Sequence, residues 1–169
     1  GGITTATYDF FDRSQFMEEV FRWYTERSLQ ELRAVLRAQP RELLDAYFIQ
    51  GSSSSLSHSS LAFFKKYDLP FLRDVTRLTK EAGVPSHLHV CGRSQAIVEL
   101  CYQETDLDIM EPLECPPGGD CDLGELKRRF ADRLILKGNL NTFQLLARGT
   151  ANQVREAAKR CLEQAMQGG

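Results

Sequence analysis

Two histidines and a cysteine alternate along one short segment of the chain, His87-Leu88-His89-Val90-Cys91. Successive side chains of a β-strand point to opposite faces, so the two histidines and the cysteine would share one face. Imidazole nitrogen and thiolate sulfur are both preferred ligands of zinc. The spacing therefore predicts a metal site with His89 and Cys91 as ligands and His87 as a further candidate. The alternative is a half-buried strand that carries polar residues and binds no metal.

Two carboxylates follow another predicted strand, Leu107–Met110. They are Glu111 and Glu114, and a pair of carboxylates can serve as general acid and general base. Both are therefore candidate catalytic residues. The alternative is that one of them is only a loop charge or a partner that orients an imidazole ring. Lys137, near the end of a later strand, would neutralise Glu111 or contact an anionic substrate.

Polar residues also follow the first and last predicted strands. Ser53 belongs to a serine run after the first strand, and Asn139 follows the last one. Both are candidate cofactor-binding residues, because active sites of parallel α/β folds form at the carboxyl ends of the strands. The alternative is that these residues are polar only because loops generally are.

Strands and helices must alternate to position these groups. Predicted strands lie at 46–49, 86–91, 107–110 and 133–138, and Ile3 to Tyr8, rich in β-branched residues, suggests a fifth. Helical spacing predicts helices at 14–38, from Ser60, from Pro70 to Gly83, and at 94–103, 122–130 and 150–166. The alternation implies an α/β fold with parallel strands, either an open doubly wound sheet or part of a (β/α)8 TIM barrel, in a single domain over 1–169.

Composition narrows the class of protein. The 169 residues are 42% hydrophobic with a net charge of −2, which argues against a nucleic-acid-binding protein. No apolar run approaches the ~20 residues that span a membrane, and the first residues lack the basic region of a signal peptide. Five irregularly spaced cysteines do not form a disulfide pattern, so we expect a reducing, cytoplasmic location.

Several short motifs, taken in order, resemble the C-terminal half of the uroporphyrinogen decarboxylase superfamily. The resemblance covers essentially the whole chain and implies part of a (β/α)8 barrel. The matching segments are Leu56-Ser57-His58, Phe63-Phe64, Leu69-Pro70, His89-Val90-Cys91-Gly92, Glu111-Pro112-Leu113-Glu114, Leu136-Lys137-Gly138-Asn139-Leu140, and Gly149-Thr150 with Val154.

The superfamily contains porphyrinogen decarboxylases, which need no metal, and zinc-dependent methyltransferases that use a cobamide. The resemblance favours the second branch, because it assigns His89 and Cys91 to the zinc ligands of those methyltransferases. Their third ligand is a cysteine on a later strand, and we expect the chain to end about where that strand would begin. The resemblance implies methyl transfer between a cobamide, free or on a corrinoid protein, and a thiol or a small methylated substrate.

Two other interpretations remain open at this stage. One is a decarboxylase-like lyase in which His89 and Cys91 only line the pocket. The other is an inactive scaffold or a half-barrel that is completed by a second chain. Because a partial barrel would leave sheet edges without partners, we expect a homo-oligomer or a piece of a longer chain.

Overall fold

The computed structural model describes residues 2–38, 41–51 and 54–166. The chain divides into two compact units, residues 1–40 and residues 41–169. Within the described ranges, none of the helices combines the length and the apolar character needed to cross a bilayer.

The first unit is built from two helices, α1 (Ile3–Asp12) and α2 (Ser14–Ala38). The bounds predicted for α2 are confirmed, whereas the predicted strand from Ile3 to Tyr8 is wrong because this segment lies in α1. The Phe10 ring packs 5.4 Å from the Phe21 ring of α2, centroid to centroid. The preference of β-branched residues for strands amounts to only about 1 kcal/mol and depends on context, so packing between two helices overrides it.

The second unit contains four parallel strands. They are β1 (Tyr47–Gln50), β2 (Ser86–His89), β3 (Ile109–Glu111) and β4 (Ile135–Leu136), and they lie side by side in the order of the chain. A doubly wound sheet reverses its strand order, whereas a barrel does not. The predicted α/β fold is therefore confirmed, and the sheet is consistent with part of a TIM barrel.

Helices connect these strands. A 3-10 turn (Arg41–Leu43) precedes β1, and β1 leads to α3 (Leu61–Phe63), a π-helical turn (Phe64–Asp68) and α4 (Leu69–Glu81). The remaining helices are α5 (Gln95–Glu104), α6 (Leu123–Phe130), a π-helical turn (Thr142–Leu146) and α7 (Ala151–Ala165). Side-chain oxygens of Ser60, Asp122 and Thr150 accept backbone N–H groups at the starts of α3, α6 and α7, which fixes where each helix begins.

The sheet buries one of its faces. On β2 and just after it, Leu88 and Val90 are fully buried, as is Met110 on β3. The opposite face is more open, and its Phe48 and Ile135 are 50% and 59% exposed. The alternation predicted for the His/Cys segment is therefore present, with its histidines on the open face. The outer edges of β1 and β4 pair with no other strand in the described part of the chain, and the expected self-association stays a prediction.

Candidate functional site

Glu111 is the centre of a charged cluster on the open face of the sheet. It lies on β3 directly opposite His89 of β2 in the strand register. The Nδ1 atom of His89 is 3.0 Å from Glu111 Oε1, and the ammonium group of Lys137 forms an ion pair with Glu111 Oε2. The predicted neutralisation of Glu111 by Lys137 is thus confirmed. Strand pairing places all three side chains on one face at the carboxyl-terminal edge of the sheet.

His87 approaches the same carboxylate from the other side. Its Nε2 atom lies 3.1 Å from Glu111 Oε2, but the two atoms make no hydrogen bond. This buried nitrogen has no hydrogen-bond partner among the described residues. The contact is therefore electrostatic.

Phe48 completes the cluster, and the sequence reasoning missed it. The Phe48 ring lies edge-on to the His87 ring at 5.2 Å and is 6.0 Å from the His89 ring. In the strand register Phe48 is the direct partner of His87. The signal that could have revealed it is the alternation along β1, which puts Phe48 on the same face once the register is known.

The charge of Glu111 is set by its three cationic or polar neighbours. Burial by itself would raise the pKa of Glu111. The hydrogen bonds from Lys137 and His89, together with the positive charges of His87 and Lys137, outweigh burial and lower that pKa to about 2. Glu111 is therefore ionised near neutral pH and is a weak base there. Of the two interpretations of Glu111, this arrangement favours the one that orients a histidine ring.

The tautomer of His89 follows from its partner. An ionised carboxylate only accepts hydrogen bonds, so Nδ1 of His89 must carry the hydrogen. In the neutral ring Nε2 then holds the lone pair that a metal ligand needs. Cys91 follows two residues later and is partly exposed. Among the described residues no three His, Cys, Asp or Glu side chains converge on one metal position, so the zinc site stays a prediction.

The other candidate residues lie in the loops that follow β3 and β4. The Glu114 carboxylate makes no hydrogen bond or ion pair with any described residue, and its backbone carbonyl accepts the N–H of Cys121 at 3.0 Å. Asn139 Nδ2 donates to the Leu113 carbonyl at 2.9 Å, and its Oδ1 accepts the Cys161 thiol at 3.5 Å. Asn139 therefore joins two loops. Ser53 lies outside the described residues.

Two glycines allow a close approach between neighbouring loops. Gly138 has φ +147°, and a Cβ atom there would collide with the carbonyl oxygen of Pro112. Gly92 has φ +76°, and a Cβ atom there would collide with the Ser57 hydroxyl. Gly92 can adopt this backbone conformation because glycine takes positive φ at little steric cost.

An open cleft of about 870 Å³ adjoins Asn139. It lies among the loop after β3, the turn after β4, and α7. Amide side chains and three thiols line it, the thiols being those of Cys115, Cys121 and Cys161. All five cysteines of the chain are thiols rather than disulfides.

Comparison with known proteins identifies the family. The sequence matches the family described as "Uroporphyrinogen decarboxylase (URO-D)" over residues 7–169. Neither a curated protein nor a solved structure gives a match to the chain. The family match spans nearly the whole sequence and agrees with the parallel strand–helix units described above. The chain belongs to the uroporphyrinogen decarboxylase family.

Proposed function

We propose that this chain belongs to a zinc-dependent methyltransferase of the uroporphyrinogen decarboxylase superfamily. It would move a methyl group between a cobamide and a thiol or a small methylated substrate. The observation that carries the proposal is the hydrogen bond from His89 Nδ1 to Glu111, which leaves Nε2 of His89 as a lone-pair donor two residues before a thiol.

The available donors fit a zinc ion in part. A histidine whose other ring nitrogen donates to a carboxylate is the usual form of a zinc-binding histidine. His89 Nε2 and Cys91 Sγ supply two of the three protein ligands that a catalytic zinc normally has. In the described residues no third donor joins them. When bound, zinc would act as a Lewis acid that lowers the pKa of a substrate thiol.

The residues around the proposed zinc position would have distinct roles in the reaction. Glu111 orients the His89 ring, and Lys137 balances the charge of the carboxylate. Phe48 packs against both histidine rings and restricts their rotation. Glu114, whose carboxylate has no partner among the described residues, is the group we assign to proton transfer with the substrate.

The partners follow from the resemblance rather than from the geometry. We propose a cobamide, free or on a corrinoid protein, as the second substrate, and a cytoplasmic location. Lys137 gives the open face a cationic group.

Cobalt substitution tests the metal site directly. Co²⁺ bound to a thiolate gives an intense near-ultraviolet charge-transfer band. We expect the band with the unmodified protein, its loss in Cys91→Ser and much weaker metal binding in His89→Ala. Cys161→Ser is the matched control, since Cys161 lies on α7 and bonds to Asn139. Equal zinc content and the same band in all four proteins would refute the proposed ligands.

A decarboxylase-like lyase is the second candidate. Two observations favour it: the description of the matched family and the absence of a three-donor group among the described residues. Turnover of a porphyrinogen by metal-free protein, together with no exchange of methyl groups between methylcobalamin and a thiol, would establish the lyase and exclude the methyltransferase.

A further inference from the structure

The loop between β3 and α6 contains two cysteines, Cys115 and Cys121, in the segment Cys115-Pro116-Pro117-Gly118-Gly119-Asp120-Cys121. Two backbone hydrogen bonds close this loop. The N–H of Cys121 donates to the Glu114 carbonyl at 3.0 Å, and the N–H of Gly119 donates to the Cys115 carbonyl at 3.1 Å. The two ends of the loop are therefore adjacent in space.

This closure places the two cysteine backbones at a distance suitable for a disulfide. The planar peptide holds the Glu114 carbonyl oxygen about 2.8 Å from the Cys115 Cα atom, and the Cys121 Cα atom lies about 1.5 Å from its own nitrogen. With the 3.0 Å hydrogen bond between them, the two Cα atoms are at most about 7.3 Å apart. Disulfides usually join Cα atoms separated by about 4.4–6.8 Å. The upper limit lies just above this range, so a bond between Cys115 and Cys121 requires only a small approach of the two backbones.

The two thiols also lie along one surface, because both line the cleft beside Asn139. Cys115 is partly exposed, and its Sγ lies 3.9 Å from the Asn139 carbonyl oxygen, a weak contact. Cys121 is 2% exposed, and its Sγ lies 3.4 Å from the Ser94 hydroxyl. Rotation of the Cys115 side chain breaks the weak contact to Asn139, the one hydrogen bond that its thiol makes with a described residue.

We propose that Cys115 and Cys121 form a reversible disulfide by exchange with a small-molecule disulfide such as oxidised glutathione. The Cys115 thiolate attacks one sulfur of that molecule, forms a mixed disulfide and releases one small thiol. The Cys121 thiolate then attacks the Cys115 sulfur, which forms the Cys115–Cys121 bond and releases the second small thiol. The protein loses two electrons and two protons, and the small disulfide gains both.

The order of these steps follows from the surroundings of each thiol. Cys115 reacts first because it is accessible. Cys121 reacts second because it is buried, and burial, the largest effect, raises its pKa to about 11. A mixed disulfide on Cys115 therefore precedes the internal bond.

The disulfide would tie together two anchored ends of the loop. The Cys121 N–H donates to the Glu114 carbonyl, which joins the two ends to each other. The second end is also held against α5, because Asp120 Oδ1 accepts the N–H groups of Ser94 and Gln95 at 2.7 and 3.0 Å. Oxidation would also remove the Cys115 contact to Asn139 and so alter the loop that carries Glu114.

Peptide mapping of the full chain tests the proposal. Protein is equilibrated with oxidised glutathione, quenched in acid, unfolded, treated with iodoacetamide and cleaved after glutamate. Cleavage after Glu114 and Glu125 isolates a peptide that contains Cys115 and Cys121 and no other cysteine. We expect this peptide to be unalkylated and lighter than the reduced form by two hydrogen atoms. Reduced protein should give the doubly alkylated peptide.

Single variants test the order of the two steps. Cys121→Ser should stop at a glutathione adduct on Cys115, and Cys115→Ser should leave Cys121 unmodified while the protein is folded. Two results would overturn the proposal. One is a peptide from the unmodified protein that stays doubly alkylated after equilibration, and the other is a disulfide that joins Cys115 to a different cysteine.

Discussion

His89 on β2 and Glu111 on β3 are direct partners in the parallel register, and a 3.0 Å hydrogen bond joins His89 Nδ1 to Glu111 Oε1. Because the side-chain period of a strand is two, a slip of one residue between β2 and β3 would send the two side chains to opposite faces. The hydrogen bond therefore depends on the register of the sheet as well as on the two residue types.

Replacing Glu111 tests its part in orienting His89. Glu111→Ala removes the acceptor of Nδ1, so we expect zinc affinity to fall by about 10–100-fold, as it does when such a partner is lost. The measurement is competition for zinc with a chromophoric chelator. Glu125→Gln, which alters a carboxylate on α6, should leave the affinity unchanged. An unaltered affinity in Glu111→Ala would show that the carboxylate does not position a ligand.

Removing the charge of Lys137 should change how stability depends on pH. Glu111 has a pKa lowered from 4.5 to about 2 in the folded protein, so its contribution to stability is present above pH 4.5 and is lost as the pH falls toward 2. In Lys137→Met the pKa of Glu111 should rise toward 4.5. The pH range over which its contribution to stability is lost then becomes narrower. Because the Lys137 side chain is 61% exposed, we expect Lys137→Met to lower the free energy of unfolding at neutral pH by at most about 1 kcal/mol.

A carboxyl carbon NMR titration of Glu111 measures this pKa in both proteins. Lys159→Met, which removes an exposed lysine on α7, is the control and should leave the Glu111 titration unchanged. The same Glu111 pKa in Lys137→Met would contradict the assigned role of the ammonium group.

Asp68 should make the protein less stable as the pH rises. Burial, the largest effect, raises the Asp68 pKa from 3.8 to about 6, although a hydrogen bond from Ser54 lowers it. The folded protein therefore holds this proton more tightly than the unfolded chain, and stability falls between about pH 4 and pH 6. Its Oδ2 atom is buried without a hydrogen-bond partner among the described residues.

Asp68→Asn removes this charge. We expect the free energy of unfolding to rise by up to about 3 kcal/mol at pH 7.5, because a shift of about two pKa units corresponds to that energy. Below pH 4 it should hardly change. Urea unfolding at several pH values measures it. Asp74→Asn alters a half-exposed aspartate on α4 that pairs with Arg77, and it should show no such pH-dependent gain. A loss of stability in Asp68→Asn at pH 7.5 would show that the carboxylate makes a favourable interaction.

Two glycine-to-alanine changes should have opposite effects. Gly138→Ala places a Cβ atom against the Pro112 carbonyl at a positive φ. We therefore expect the free energy of unfolding to fall by more than about 3 kcal/mol. Gly124 lies in α6, where the atoms nearest to a new Cβ are 3.5 Å away, so Gly124→Ala should gain up to about 1 kcal/mol. Urea unfolding of both variants measures the contrast, and equal stabilities would contradict the proposed collision.

Local sequence patterns predicted the helices and strands more successfully than the contacts between them. The alternation of His87, Leu88 and His89, and the helices that begin near Asp122 and Thr150, depend on neighbours in sequence and were predicted correctly. The segment from Ile3 to Tyr8 was predicted wrongly, because contact between α1 and α2 decides its conformation. The sequence indicated that His89, Glu111 and Asn139 follow successive strands.

The contacts within the site depend on the register between neighbouring strands, which the pattern along a single strand does not indicate. That Phe48 lies against His87, and that two histidines share the carboxylate of Glu111, both follow from the register between strands. The low pKa of Glu111 results from groups on three different strands or strand ends, so its role could be stated only as one of two alternatives. The charge of Lys137 was the part of this cluster that the sequence suggested.

The contacts around Asn139 have a consequence for local unfolding. Its side chain donates to the Leu113 carbonyl, its backbone carbonyl lies by the Cys115 thiol, and the neighbouring Gly138 abuts Pro112. These contacts join the loop after β3 to the turn after β4, so local opening of either segment breaks them. The two segments therefore behave as one cooperative unit, and their amide hydrogens should exchange with solvent at a common opening free energy.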